Sequence, residues 1–146
     1  MNYFSVFITS MLPISELRGA IPLGLLLGIN LIESAVIAIV GNIILCFLLM
    51  FLLRPIIRLL SKISLFNSFM EYLQRRTIKK SLKVKKLSLF GLYILVAIPL
   101  PGTGVYTGAM VATFLDIRYK HAIPVMCLGV LTSGIIVSLL LSFHVM

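Results

Sequence analysis

Charged residues are scarce in this sequence, and acidic residues are the scarcest of them. Only 12% of the 146 residues are charged and only four are Asp or Glu, whereas 60% are hydrophobic. Soluble domains carry about a quarter charged residues, and a domain of this length has too little interior to bury so much apolar surface. Lipid can accept the excess. The composition therefore excludes an ordinary soluble domain and indicates an all-α integral membrane protein.

The residues that most catalytic and metal sites use are also few. The two histidines stand far apart, and neither a Ser-His-acid set nor a pair of carboxylates is present. Cys46 and Cys127 lie in apolar runs without the spacing of metal ligands, and thiols in such runs are most simply packed in the core. The sequence therefore predicts no enzyme activity, no metal and no cofactor.

Two apolar stretches are long enough to cross a membrane as helices. A spanning helix needs about 20 apolar residues. Residues 31–53 contain one charge, Glu33, close to their start, and residues 121–145 contain no acid, lysine or arginine. We predict that both stretches are transmembrane helices.

Four shorter apolar stretches are each about half a membrane thickness in length. Pro13 ends the stretch of residues 3–12 before residues 17–29 begin, and residues 99–104 separate residues 87–98 from residues 105–115. Because proline and glycine interrupt helices, each pair is predicted to be a re-entrant helical hairpin. Its non-helical backbone would lie inside protein or beside water. The alternative is that some stretches are kinked full spans, since extending the third stretch through Lys85 gives it about enough length.

Positive charge is concentrated between the two apolar halves, because ten of the thirteen Lys and Arg lie in residues 54–86. In a soluble protein such a block would suggest nucleic acid, but here it marks the cytoplasmic side. Arg118 and Lys120 place the start of the second span on the same side, so the two spans run in opposite directions. We predict one membrane domain of two inverted repeats, residues 1–53 and 87–146, joined by the basic segment of residues 54–86. Inverted repeats with broken helices are typical of secondary transporters.

Part of the basic segment has the periodicity of a helix. Phe66, Phe69, Met70 and Leu73 form an apolar stripe, and seven Lys or Arg follow in residues 75–86. This pattern predicts an amphipathic helix on anionic lipid headgroups. The alternative is a flexible, solvated tether.

Glu16 and Arg18 are the ionisable residues of the first hairpin, and Gly19 and Pro22 follow them. An ionisable residue at membrane depth is costly unless it is paired or hydrated. The two side chains share a face only if the chain is extended, which Pro13 and Pro22 favour. One interpretation is a site where Arg18 holds an anion and Glu16 accepts protons. The other is a structural ion pair that fixes the elbow.

The second elbow is a candidate binding site because a helix that starts after it presents free N–H groups to anions. Its candidate residues are Pro99, Pro101, Gly102, Thr103 and Gly104. A tight turn that allows close helix packing explains the same residues.

Polar residues near the middle of the two spans are further candidates. Asn42 lies half-way along the first span, and Thr132 and Ser133 lie near the middle of the second. They either line a pathway or form hydrogen bonds between helices.

Two stretches together resemble a known family. SELRGAIPLG at residues 15–24 and PLPGTGVYTGA at residues 99–109 are similar to the two signature stretches of the small multi-drug export proteins of bacteria and archaea. A tryptophan is common in that family where Tyr106 stands, and the change keeps an aromatic ring. The resemblance covers most of the chain and implies a multi-pass plasma-membrane protein that exports small molecules.

The predicted layout also resembles that of the DedA-type membrane proteins, whose members include carriers of undecaprenyl phosphate. That resemblance implies a carrier or scramblase of a lipid phosphate, and Arg18 suits a phosphate headgroup. Export of a cationic drug would instead use Glu16. A non-transporting membrane assembly protein is the third hypothesis. Because one short chain offers little wall for a pathway, we predict a homodimer surrounded by membrane lipids.

Overall fold

The computed structural model describes residues 2–60 and 82–145. Within these residues the chain forms six helices and no strand: α1 Asn2–Met11, α2 Glu16–Leu26, α3 Leu31–Leu60, α4 Leu82–Ala97, α5 Val105–Phe114 and α6 Tyr119–Val145. The predicted all-α class is confirmed for this part of the chain. The predicted apolar stripe from Phe66 to Leu73 lies outside the described residues, as does most of the basic stretch of residues 75–86.

Helices α3 and α6 are the longest, with 30 and 27 residues. Their stretches Leu31–Leu59 and Tyr119–Phe143 are long and apolar enough to cross a membrane, and they contain the two predicted spans almost entirely. Helix α3 continues through Arg54 and Pro55 to Leu60, whereas the predicted span ended at Leu53. The apolar run sets the length of a span, but a helix can continue beyond it.

The two long helices pack against each other in opposite directions. Near the start of α3, Ile39 contacts α6 at Gly134. Further along α3, the ring of Phe51 stacks on that of Tyr119 near the start of α6, with the ring centroids 5.2 Å apart. Residue numbers therefore rise along α3 as they fall along α6, which makes the pair antiparallel.

The four shorter helices form two hairpins beside the long pair. Helices α1 and α2 pack on each other and on α3, while α4 packs on α6 and on α5. Helices α1, α2 and α5 have 10, 11 and 10 residues. At 1.5 Å per residue these helices are about 15–17 Å long, which is about half the thickness of the hydrocarbon core.

Two glycines let the long helices approach the first helix of each hairpin. Gly41 of α3 faces the backbone carbonyl of Phe7 in α1, and Gly129 of α6 faces that of Tyr93 in α4. A Cβ atom at either glycine would lie 3.2 Å from that carbonyl oxygen. It would also overlap the side chain of Ser10 in α1 or of Val96 in α4. The two halves therefore use the same small-residue packing.

Candidate functional site

The two elbows, one around residues 13–18 and the other at residues 99–104, meet in the folded chain. Arg18 Nη2 donates hydrogen bonds to Thr103 Oγ1 at 2.8 Å and to the Thr103 carbonyl oxygen at 3.3 Å. The Tyr106 hydroxyl donates to the carbonyl oxygen of Met11 at the end of α1, at 2.7 Å. The structure thus joins Arg18 to Thr103 although the two residues are 85 positions apart.

The Glu16 side chain reaches the start of α5. Its carboxylate lies against Gly104, where an added Cβ atom would overlap Oε2 and fall 2.9 Å from Oε1. It interacts with the backbone N–H groups of Val105 and Tyr106, and Arg18 is close enough for an attractive charge interaction. The first N–H groups of a helix lack intrahelical acceptors and carry its positive partial charge. Glu16 therefore caps α5 from the other half of the chain.

The backbone at Glu16 explains how the two charged side chains reach separate partners. Helix α2 begins at Glu16, so the extended conformation expected around Glu16 and Arg18 is wrong. Residues two apart on a helix do not face each other, and each side chain finds its own partner in the second elbow. Glu16 adopts a φ of 42°, a left-handed conformation that costs a residue other than glycine about 1–2 kcal/mol.

Thr103 is the centre of the second elbow. Its hydroxyl lies 2.7 Å from the carbonyl oxygens of both Ile98 and Leu100, so it holds the non-helical segment together while it accepts a hydrogen bond from Arg18. Gly102 and Gly104 have φ angles of 85° and 126°, which glycine adopts without strain.

A small cavity lies between Glu16 and Arg18 on one side and the middle of α3 and α6 on the other. Its polar lining residues are Glu16, Arg18, Asn42 and Ser133, and its other lining residues are Leu17, Val96, Gly104, Val105 and Val130. Its volume of about 10 Å³ is about the space that one water molecule needs. The site is therefore closed to anything larger in this conformation.

Asn42 is fully buried beside this cavity. Its Nδ2 atom donates to the Ser10 carbonyl oxygen at 3.1 Å, so Asn42 links α3 to α1 as the packing interpretation expects. Its Oδ1 atom has no hydrogen-bond partner among the described residues. An unsatisfied buried acceptor costs about 1–3 kcal/mol, and a hydrogen-bond donor in the cavity would remove that cost.

Not every predicted site residue reaches the cavity. Gly19, Pro22, Pro99, Pro101, Gly102 and Thr103 are absent from its lining. Pro101 and Gly102 are exposed, and the Thr132 hydroxyl pairs with that of Tyr93 at 2.9 Å. The backbone roles of Val105 and Tyr106 were not predicted, although both residues stand in the second signature stretch. They contribute backbone N–H groups, which residue type does not reveal.

Arg54 holds the other end of α5. Its guanidinium lies 4.0 Å from the centroid of the Tyr119 ring, donates to the Ile117 carbonyl oxygen and is 3.9 Å from the exposed Asp116 carboxylate. Asp116 and Ile117 are the second and third residues after α5, so this helix is anchored at its start by Glu16 and close to its end by Arg54.

Comparison with known proteins identifies a family. The sequence model of a family described as "Putative small multi-drug export protein" matches residues 16–136, which is most of the chain and includes Glu16, Arg18 and the second elbow. No curated protein and no solved structure matches the chain. Among the described residues, no group of three or more His, Cys, Asp or Glu side chains could hold a metal ion.

Proposed function

Because the chain belongs to this small multi-drug export family, and is therefore a membrane protein, we propose that it is a proton-coupled exporter of small solutes. Its site is the cavity between the two elbows. The observation that supports this proposal is the position of Glu16, whose carboxylate lies beside the cavity and on the first turn of α5. Ionisable residues at membrane depth commonly mark proton and substrate pathways.

Protonation of Glu16 would release α5. The ionised carboxylate interacts favourably with the N–H groups of Val105 and Tyr106 and with Arg18, and all of these attractions weaken when it becomes neutral. A protonated carboxyl group is a hydrogen-bond donor, and Asn42, whose Oδ1 atom has no partner in the described part of the chain, lines the same cavity. Glu16 would thus change partners from the second half of the chain to the first. A cation that binds Glu16 would compete with α5 in the same way.

In the proposed topology, protonation of Glu16 would let the site open first to one side of the membrane and then to the other. We infer two inverted repeats, each a re-entrant hairpin followed by one span, in a bacterial or archaeal plasma membrane. The short helices of about half a membrane thickness, the antiparallel α3 and α6, and the matching contacts of Gly41 and Gly129 support this topology. Rocking of one repeat against the other is the usual route to alternating access.

The surroundings of the exporter follow from the same topology. Arg54, Arg118 and Lys120 lie at the same end of the antiparallel pair, which we assign to the cytoplasm. The basic stretch of residues 75–86 would then bind anionic headgroups. A single chain encloses space for about one water molecule at the site, so we propose that a homodimer completes the pathway. Cross-linking in native membranes that finds only monomers would contradict the dimer.

A lipid-phosphate carrier is the second candidate function, because Arg18 is only partly buried and lies beside the start of α5. Once Glu16 is protonated and leaves, the N–H groups of Val105 and Tyr106 together with Arg18 would form an anion site. The guanidinium group has five N–H donors, and its hydrogen bonds to Thr103 all come from Nη2. A phosphate headgroup matches this arrangement.

Transport by purified protein in liposomes separates the candidates. We would measure the movement of a fluorescent cationic dye under a pH gradient, and of a fluorescent polyprenyl phosphate, for the wild type and for Glu16→Gln and Arg18→Ala. Glu33→Gln is the matched control, because Glu33 is exposed at the start of α3. The exporter proposal expects dye transport that Glu16→Gln abolishes and Glu33→Gln retains.

The other outcomes have clear meanings. Transport of the polyprenyl phosphate, with Arg18→Ala as the more harmful substitution, would favour the lipid-phosphate carrier. Dye transport that survives Glu16→Gln would refute the proposed role of Glu16. If folded wild-type protein transports neither probe, both variants support cell function and substitutions in the basic stretch of residues 75–86 abolish it, the assembly-protein hypothesis is favoured.

A further inference from the structure

The two elbows leave an exposed apolar surface beside the charged site. Seven exposed residues in or next to the elbows form this surface, which we call the elbow face: Leu12, Pro13, Ile14, Ile98, Leu100, Pro101 and Gly102. None of the seven lies in a helix, and Ile14 is 96% exposed. The hydrogen bonds from Arg18 to Thr103 and from Tyr106 to Met11 hold the two segments of the face together.

The elbow face lies level with the middle of both long helices. Tyr3, near the start of α1, donates a hydrogen bond to Glu33 near the start of α3. Ser10, near the end of α1, accepts one from Asn42, which is half-way along the predicted span. Ser133, near the middle of α6, lines the cavity beside the second elbow. In the proposed topology this level is the centre of the bilayer.

A surface of this kind at the centre of the bilayer needs a protein cover. Lipid is a poor neighbour, because non-helical backbone at that depth is tolerated only inside protein or beside water. Water is also a poor neighbour, because none of the seven residues has a polar side chain. Arg18 beside the face is only partly buried, and a guanidinium group that faces lipid at this depth is costly. A second protein surface would satisfy all three conditions.

We propose that a second copy of this chain covers the elbow face, with a two-fold axis running through the face. A two-fold axis joins the same surface patch of both copies. The exposed parts of the seven residues amount to roughly 600 Å² per copy, so their burial on both copies would remove roughly 1,200 Å², more than the roughly 1,000 Å² that a specific interface needs.

This interface would place two copies of the Glu16–Arg18 site on either side of one axis. The transport pathway would then run between the copies, where two chains supply the wall that one chain lacks. The inference rests on the proposed function for its membrane topology, and it assigns the surface at which the proposed homodimer forms.

Cross-linking of introduced cysteines in native membranes tests the interface on the full chain. Ile14→Cys and Leu100→Cys are made in a Cys46→Ala/Cys127→Ala background, expressed singly and as a differently tagged pair, and treated with a membrane-permeant oxidant. We expect a disulfide-linked product of two chains from at least one of these combinations. Ile44→Cys is the matched control and should stay monomeric.

Ile44 suits this control in depth and in exposure. It is 46% exposed, against 55% for Leu100, and it follows Asn42 by two positions. Residues two apart on a helix do not face each other, so residue 44 tests collisions at the same depth on another face. Equal cross-linking of Ile44→Cys and the elbow variants would overturn the proposal.

Two further measurements identify any other cover. A water-soluble maleimide should leave Ile14→Cys unlabelled in the membrane, and labelling would overturn the proposal and assign a water-filled cavity. Protection without cross-linking between copies would assign the cover to lipid or to another part of the chain, and a product that contains a different protein would also overturn the proposal. Energy transfer between labelled chains in liposomes should show association that Ile14→Ala weakens about fivefold or more and Ile44→Ala leaves unchanged.

The outcome is independent of transport. Glu16→Gln should cross-link through Ile14→Cys or Leu100→Cys as the unsubstituted background does, even where it abolishes export. Loss of export with cross-linking retained would support both proposals, whereas export without cross-linking at the elbow face would overturn this one alone.

Discussion

Replacing Gly104 by alanine should break the contact between the two hairpins at Glu16. Gly104 has a φ of 126° and a ψ of −161°, a region that is essentially restricted to glycine and costs other residues about 1–3 kcal/mol. The new Cβ atom would also overlap Glu16 Oε2 and lie 2.8 Å from Cδ. Overpacking of this kind costs about 1–3 kcal/mol. We therefore expect a loss of about 2–6 kcal/mol in the free energy of unfolding.

Gly102→Ala is the matched control for this prediction. Gly102 also has a positive φ, of 85°, but a Cβ atom there would meet nothing within 4 Å. Gly102→Ala should therefore cost only the backbone strain, about 1–2 kcal/mol. The double variant Glu16→Ala/Gly104→Ala removes the carboxylate that the new Cβ atom meets. Its effect should be smaller than the sum of the two single effects, because the two groups are in contact.

The assay is unfolding in mixed detergent micelles, followed by circular dichroism as the denaturing detergent is increased. Gly104→Ala should unfold at a lower detergent fraction than Gly102→Ala, and the double variant should lose less stability than the Glu16→Ala and Gly104→Ala variants lose together. If Gly104→Ala and Gly102→Ala unfold together, the carboxylate does not lie against Gly104 and the proposed cap on α5 is wrong.

Three further predictions use the same unfolding assay. Gly129→Ala should destabilise the protein by about 1–3 kcal/mol, because its Cβ atom would overlap α4. Gly91→Ala is the control: its Cβ atom would meet open space, so it should be neutral or stabilise by about 1 kcal/mol. Equal effects of the two substitutions would contradict the packing of α6 on α4. Tyr106→Phe should cost about 1 kcal/mol because the Met11 carbonyl loses its donor, and an unchanged midpoint would argue against that contact. Arg54→Lys should cost about 1 kcal/mol, because lysine cannot stack its charged group flat on the Tyr119 ring as the guanidinium does. Full stability of this variant would contradict the anchoring of α5 by Arg54.

Much of the fold can be predicted from the sequence, because helix-breaking residues and the lengths of apolar stretches are local signals. Residues 3–12 were predicted as one stretch and form α1 Asn2–Met11; residues 105–115 correspond to α5 Val105–Phe114. The end of α3 was placed too early, because apolar composition reports the hydrophobic part of a helix and not its hydrogen bonding. Pro22 lies inside α2, so a proline near the start of a segment did not keep it extended.

The meeting of the two elbows could also be expected, because charges at membrane depth need partners. The identity of those partners could not be predicted from the sequence. Glu16 is bound by backbone N–H groups, whose positions depend on where α5 begins and on the conformation of Gly104. The unpartnered Oδ1 atom of Asn42 and the 4.0 Å approach of Cys46 Sγ to Met126 Sδ depend on the register between helices, and no local sequence signal fixes that register.

If Glu16 exchanges a proton for the solute, binding of the solute must release that proton, and this release can be measured. A lipophilic cationic dye is added to purified protein in weakly buffered detergent solution, and a pH indicator records the protons released at a series of pH values. At pH values where Glu16 is protonated beforehand, we predict about one proton per bound dye for the wild type and for Glu33→Gln, and none for Glu16→Gln. Proton release from Glu16→Gln equal to that of the wild type would show that Glu16 does not exchange a proton for the solute.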